Sequence, residues 1–305
     1  MNNIGASPAA LRDSARGPFA FELSTRSKLR LRGADRLRFL NGQMTNEVAK
    51  ATEGRAVHAL ILNAKGKIDA EIFVHALGDF LILDAAHELR EKLPARLERY
   101  VIADDVEVED ATEEFALFHV VGDSVPAIAK AVRCDRFGTA GHDLWAGAAD
   151  HDSIAQKLAT DCELLTDQSA EGFRIARGIP RWGRELTGEI IPVEANLENA
   201  AIDYAKGCYI GQEVISRMKM SGQTNKRLCG LVSVGGAALR DGMHLFETND
   251  STREIGWITS ATYDATLARE IALGYVRRGH NEPGTQLFAD AATRIAVQVV
   301  TLPFV

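Results

Sequence analysis

The chain has little of what marks most familiar enzymes and secreted proteins. It carries four cysteines in 305 residues: Cys134, Cys162, Cys208 and Cys229. None forms a C-x-x-C pair, and their spacings fit no common zinc or iron–sulfur pattern, so no metal site is expected. So few thiols in a chain this long do not make a disulfide scaffold, and a reducing compartment fits better. No apolar run approaches membrane-spanning length. Met1 to Gly17 has arginines but no apolar core, which excludes a secretory signal and leaves an organelle leader or, more simply, a frayed tail. The G-x-G-x-x-G, Walker, H-E-x-x-H and G-x-S-x-G signatures are missing. The eight histidines are scattered, none paired as ligands, which fits structural or surface roles. The net charge of −7 is not that of a nucleic-acid binder, and no aromatic RNA-binding motif accompanies the basic segments. A cytoplasmic monomer is expected, with neither membrane nor direct nucleic-acid contacts.

What is present is ordinary for a globular protein: 46% apolar and 25% charged residues, enough for sizeable cores and about two domains. Charge is uneven along the chain. Residues 206–227 hold Lys206, Arg217, Lys219, Lys226 and Arg227 against Glu213 alone. Residues 174–184 hold Arg174, Arg177, Arg181 and Arg184 with no acid. The two segments form either a focused anion site or two solvated faces.

Periodicity sets the fold class. Lys28 to Arg32 alternates as a half-buried strand ending at Gly33, and Asp35 is placed to cap a short helix stopped by Asn41-Gly42. Val57 to Asn63, Ile68 to Ala76 and Phe80 to Asp84 read as strands. His87 to Tyr100 reads as helix, with Pro94 marking a break or a first turn. The seven acids between Asp104 and Glu114 suit a solvated strand and turn rather than a metal site. Phe115 to Val121 is a strand, Val125 to Val132 a helix with Pro126 in its first turn. Strands follow near Leu144 and Glu163, with a helix around Ile154 to Leu158 between them. Gln168 to Arg177 is a helix ended by Gly178 and Pro180. This α+β alternation suggests two interleaved β-α-β-β-α-β halves over 20–224. From 225 to 305 no helix is left, and about six short strands separated by turn signals predict a small β-barrel or sandwich.

Everything else is organised around Lys206-Gly207-Cys208-Tyr209-Ile210-Gly211-Gln212-Glu213. Its two glycines let the backbone bend tightly or approach another group closely. A short helix follows, which puts Cys208 in the loop ahead of a helix start, near Lys206. Both neighbours favour a thiolate; a small buried apolar cysteine is the plain alternative. Upstream run Arg174 to Gly183 and Ile191-Pro192-Val193-Glu194-Ala195-Asn196-Leu197. A glutamate in an apolar, proline-fixed segment needs partners if buried. Glu194 could accept two parallel N–H bonds from an amino-pyrimidinone edge, as in a pterin, with Trp182 or Tyr209 stacked on the ring. Alternatively it pairs with one of the nearby arginines.

The octapeptide resembles the signature K-G-C-[FY]-[IV]-G-Q-E of the YgfZ family of folate-binding proteins, relatives of the glycine cleavage system aminomethyltransferase (T-protein). Arg177-Gly178-Ile179-Pro180, Pro192-Val193-Glu194, Gly222 with Lys226-Arg227-Leu228, and Gly33 to Asn46 resemble the same family. The similarity covers Leu29 to the end. It implies a T-protein-like folate-binding fold: two ferredoxin-like α+β subdomains over 20–224 and a C-terminal β-barrel over 225–305. It implies tetrahydrofolate as cofactor, with Glu194 holding the pterin, Arg177 from the same region, and Cys208 and Lys206 as the reactive pair. Trp182, Tyr209 and Asp69 complete the expected site. It also implies an accessory role in iron–sulfur cluster assembly or repair, with assembly or client proteins as partners, and in tRNA modification through iron–sulfur enzymes. The alternative is a folate-dependent aminomethyltransferase. The transferases carry paired aspartates in a Gly-x-x-Asp-Asp stretch that activates the folate amine. Here that stretch corresponds to Gly66-Lys67-Ile68-Asp69-Ala70-Glu71, with Ala70 where an acid is expected, which argues against that chemistry unless Asp69 or Glu71 substitutes.

Overall fold

Two five-stranded sheets and a closed barrel contain the sheet strands of the computed structural model, which describes residues 18–122 and 125–305. The tail or leader expected at Met1 to Gly17 lies outside these residues. The chain divides into two compact units. The first comprises Gly17–Leu164 and Leu197–Met220; the second takes in Leu165–Asn196 and Ser221–Val305.

In the first unit, one sheet runs β3 (Val57–Leu62), β4 (Ile68–Leu77), β5 (Phe80–Ala85), β2 (Ser27–Arg32), β6 (Glu107–Asp110), antiparallel throughout. The other runs β10 (Glu163–Leu164), β1 (Phe19–Glu22), β7 (Phe115–Val121), β9 (Gly141–Gly147), β8 (Lys130–Arg133), with only β1 and β10 parallel. Phe73 and Ile82 of the first sheet share a core with Leu117, Val132 and Trp145 of the second. The helices are α1 (Arg36–Gln43), α2 (Lys92–Glu98), α3 (His151–Asp161) and, after the excursion into the second unit, α5 (Gln212–Ser221).

Two local expectations need correction. Val125 to Val132 is not a helix; turns lead into strand β8. Val132 pairs with Asp143 on β9, and Val125, Ile128 and Ala129 pack on the core around Phe118 and Leu144. Ladder bonds and burial thus outweigh the local helical pattern. Asp35 does precede α1, but its side chain caps no helix amide. Its carboxylate instead accepts the Asp105 N–H at 3.0 Å and pairs with Arg38 at 3.2 Å.

In the second unit, α4 (Asp167–Ala176) starts where the Thr166 hydroxyl accepts the Ser169 N–H at 3.3 Å, and the chain leaves it through Gly178 in the left-handed region. The barrel closes in the order β11 (Lys226–Ser233), β14 (Arg269–Arg277), β13 (Glu254–Asp264), β12 (His244–Phe246), β15 (Gln286–Ala289), β16 (Ile295–Val300). Its interior is apolar, with Leu231, Leu245, Ile258, Val276, Leu287 and Val297 fully buried. Closure leaves no free sheet edge. The α+β class and the C-terminal barrel of six strands are as the sequence predicts. Among the described residues no helix is long and apolar enough to cross a membrane.

Candidate functional site

The seven residues singled out by sequence divide between the units. Asp69, Lys206, Cys208 and Tyr209 lie in the first; Arg177, Trp182 and Glu194 lie in the second.

The octapeptide loop is shaped by its second glycine. Gly211 has φ +85°, and a Cβ there would sit 2.7 Å from the Asn63 carbonyl oxygen. Only glycine allows so close an approach in that conformation. Gly66, in the β3–β4 turn, is likewise left-handed and would place a Cβ 2.8 Å from Cβ of Val214. The loop, the start of α5 and the β3–β4 turn therefore form one closely packed corner.

Within it, Cys208 is exposed, while Cys134, Cys162 and Cys229 are buried. This is the accessible arrangement ahead of a helix, not the buried apolar one. Lys206 is turned inward. Its Nζ donates to the carbonyls of Asn41 at 2.5 Å and Met44 at 2.7 Å, tying down the end of α1. Burial lowers its pKa to about 8, against the pull of Glu47 and Asp203. The same ammonium lies 4.9 Å from the ring centroid of Tyr209. Tyr209 is buried, which pushes its phenol up to about 12. With a cation on one face, this ring is poorly placed as a stacking platform.

On β4, side chains alternate. Ala70 faces the core and is 1% exposed, while Asp69 and Glu71 point to the other face. Asp69 accepts from Arg96 Nε at 3.0 Å and from Asn63 Nδ2 at 3.3 Å. Glu71 Oε1 lies 2.9 Å from His58 Nε2. Both acids that could replace the missing carboxylate are thus engaged. Nearby, a cavity of about 500 Å³ is lined by Lys50, Arg55, His58, Phe73, Arg133 and Asp135, among others. The His58 and Phe73 rings stack at 4.5 Å and form part of its wall.

In the second unit Glu194 is 5% exposed. Its backbone carbonyl accepts the Leu228 N–H at 2.8 Å, which lays the segment against β11. Asn196, left-handed at φ +62°, locks that contact. It donates to the Leu228 carbonyl at 2.9 Å and accepts from Arg227 at 2.6 Å. Asparagine tolerates this conformation better than most residues. The Glu194 Oε2 atom accepts the Ile191 N–H at 3.2 Å and lies 3.5 Å from Lys226 Nζ. No described residue donates a hydrogen bond to Oε1. The partner of Glu194 is therefore a lysine, not one of the expected arginines. Lys226 also lies 5.6 and 5.7 Å from the ring centroids of Trp257 and Tyr275.

The arginines of 174–184 do not make an open anion site. Arg174 is buried and bonded to Glu171, Glu185, Ser260 and the Ile179 carbonyl. Arg181 pairs with Glu171 at 3.3 Å, and Arg184 with Asp241. Acids just outside the basic window, or distant in sequence, neutralise them. Arg177 caps α4 and is half-buried, as is Trp182, beside left-handed Gly183.

Sequence reasoning missed Trp257 and Tyr275 beside Lys226, and Arg55, His58 and Phe73 at the cavity. Trp257 and Tyr275 are register partners on β13 and β14. Aromatics on adjacent predicted strands were the available signal; the cavity residues, distant in sequence, gave none. Among the described residues no group of three histidine, cysteine, aspartate or glutamate side chains could hold a metal ion.

Similarity to known proteins fits this architecture. Residues 8–142 match the GCVT N-terminal domain, and residues 226–305 match the glycine cleavage T-protein C-terminal barrel domain. An aminomethyltransferase of Saccharopolyspora erythraea is 27% identical over 93% of this chain and 86% of its own length. One from Aquifex aeolicus is 29% identical over 80% of this chain and 71% of its own. The crystal structure of the glycine cleavage system aminomethyltransferase T from Bartonella henselae superposes with a TM-score of 0.83. It is 19% identical and the match covers 95% of this chain and 87% of that one, so the fold is shared.

Proposed function

We propose that this chain, a member of the T-protein-like family, binds tetrahydrofolate and acts on or beside a folate-borne one-carbon unit. The observation that carries this reading is the Glu194 carboxylate. It is nearly buried and anchored on Oε2, and among the described residues none donates a hydrogen bond to Oε1. A 2-amino-4-oxopyrimidine edge offers a ring N–H and an exocyclic amine to such a group. Trp182, half-buried on the same unit, is the better candidate for stacking; Arg177 belongs to the same segment. Lys206 acts as a positioning residue for the Cys208 loop, since its ammonium holds backbone carbonyls.

Glu194→Gln is expected to weaken tetrahydrofolate binding by about tenfold to a hundredfold, the worth of a charge-assisted bond. A fluorescence titration of pure protein measures this. Unchanged affinity would reassign Glu194 to its ion pair with Lys226.

Relatives named aminomethyltransferase, matched over most of their length, favour one-carbon transfer as the first reaction to test. This moves weight from the accessory role, ranked first on sequence, to the alternative. The accessory YgfZ-like role in iron–sulfur protein maturation, with tRNA modification downstream, keeps specific support. Ala70 faces the core where the resemblance calls for an acid, Asp69 and Glu71 are already paired, and Cys208 is exposed. A carboxylate there would stabilise a developing iminium. A protein that binds tetrahydrofolate yet transfers no formaldehyde equivalent to it points to the accessory role; turnover establishes the transferase.

A further inference from the structure

Resting on the assignment of Glu194 to the ligand's paired donors, we infer that Lys226 determines specificity at that carboxylate by making it select a neutral ligand edge over a cationic one. Glu194 does not stand alone. Lys226 Nζ lies 3.5 Å from Oε2, and its side chain is 23% exposed against 7% for that of Glu194. The ammonium is also faced by the Trp257 and Tyr275 rings, so attraction from three sides holds it near the acid. The result is a carboxylate whose geometry suits two parallel N–H donors but whose charge is already balanced.

A lone, nearly buried carboxylate favours a cation strongly, because nothing else compensates its desolvated charge. With Lys226 in place, an incoming cation gains little from Glu194 and is repelled by the ammonium. A neutral donor pair loses nothing by comparison. Two ligand chemistries separate these cases cleanly. A 2-amino-4-oxopteridine presents a neutral ring N–H and an amine. A 2,4-diaminopteridine presents the same donor pattern once its ring nitrogen takes up a proton, but carries a positive charge. Their shapes are alike; their charges on a carboxylate are not. The neutral 4-oxo ring is therefore the class this site accepts, and Lys226 is the residue that excludes the diamino class.

The test compares affinities of the full chain for folate and for its 4-amino counterpart, aminopterin, by fluorescence titration at neutral pH. The wild type is expected to prefer the 4-oxo ligand. Lys226→Met should shift the ratio of the two dissociation constants toward the diamino ligand by about tenfold or more. Lys226→Gln serves the same purpose if the methionine chain does not fold. Lys226→Arg, which keeps the charge, should keep the wild-type ratio. A ratio unmoved by Lys226→Met or Lys226→Gln overturns the inference while leaving the Glu194 assignment standing. A Glu194→Gln chain that binds both ligands as the wild type does overturns the assignment itself, and the role of Lys226 with it.

Discussion

Asp143→Asn should lower the stability of the first unit by about 3–5 kcal/mol, the usual cost of breaking a buried ion pair. Asp143 is fully buried on β9. It accepts two bonds from Arg136, Nε to Oδ1 at 2.7 Å and Nη2 to Oδ2 at 2.6 Å, and lies 2.8 Å from His119 Nδ1. Arg136 Nη2 is also 2.6 Å from Asp84 Oδ2, and Asp84 in turn takes Arg26 Nε at 2.7 Å. Two acids and two guanidiniums therefore balance inside the unit, bridging β5 and β9. Neutralising one acid leaves a buried guanidinium short of its counter-charge. A urea midpoint shift measures the loss. A change below about 1 kcal/mol would mean that the interior reorganises and the network carries little. Replacing Arg136 and Asp143 together by Met and Leu should cost less than the two single changes summed, because no charge is then stranded.

The same network sets a pH dependence. Burial lowers the pKa of His75 to about 4, despite the opposing pull of Asp143, and burial likewise lowers that of His119. Both are then neutral in the folded state where the unfolded chain, with histidines near 6.5, binds protons. Stability therefore rises with pH between about 4 and 6.5, and is lost as pH falls through that window. Burial would raise the Asp143 carboxyl, but Arg136 and His119 hold it well below the usual range, so its contribution goes at still lower pH.

How far this was legible in sequence depends on the range of the forces involved. The barrel strands alternate and are punctuated by turn residues, so period and turns sufficed. The octapeptide loop was legible because its two glycines mark a tight bend within the stretch itself; that Gly211 packs against the Asn63 carbonyl, distant in the chain, was not. Val125 to Val132 failed because its conformation is set by pairing with β9, which no window of neighbouring residues contains. The arginines of 174–184 looked unpaired in part for the same reason, since Asp241 and Ser260 reach Arg184 and Arg174 across the fold, and in part because Glu171 and Glu185 stand just outside the acid-free window. His75, His119 and Arg136 meet only when two sheets pack, so their network was invisible as spacing.

Cys208→Ser is expected to leave the fold intact and to abolish activity in an iron–sulfur enzyme maturation assay, if the accessory role holds. One exposed thiol cannot retain a cluster, which usually takes about four thiolates, so the pure protein should be colourless. What a lone accessible thiol can do is attack, as thiolate, the outer sulfur of a partner's persulfide or a sulfur of a partner's disulfide; the new S–S bond forms as the partner's S–S bond breaks, and the displaced sulfur leaves as the partner's thiolate. The other cysteines are poor competitors. Burial pushes the Cys229 thiol up to about 11, raises Cys162, and raises Cys134 well above its ordinary value, where nearby Asp143 adds to the shift. At neutral pH they offer little thiolate and less access. Cys208 should therefore alkylate at least about tenfold faster than any of the three, as peptide mapping after brief iodoacetamide treatment would show. The corner that carries it is held by Gly211 against Asn63 and by Lys206 on the Asn41 and Met44 carbonyls, so serine at position 208 disturbs only the sulfur. If the serine chain supports maturation as well as the wild type, or if Cys208 reacts no faster than Cys134, Cys162 and Cys229, the octapeptide owes its role to the bend it makes beside the β3–β4 turn and not to its thiol.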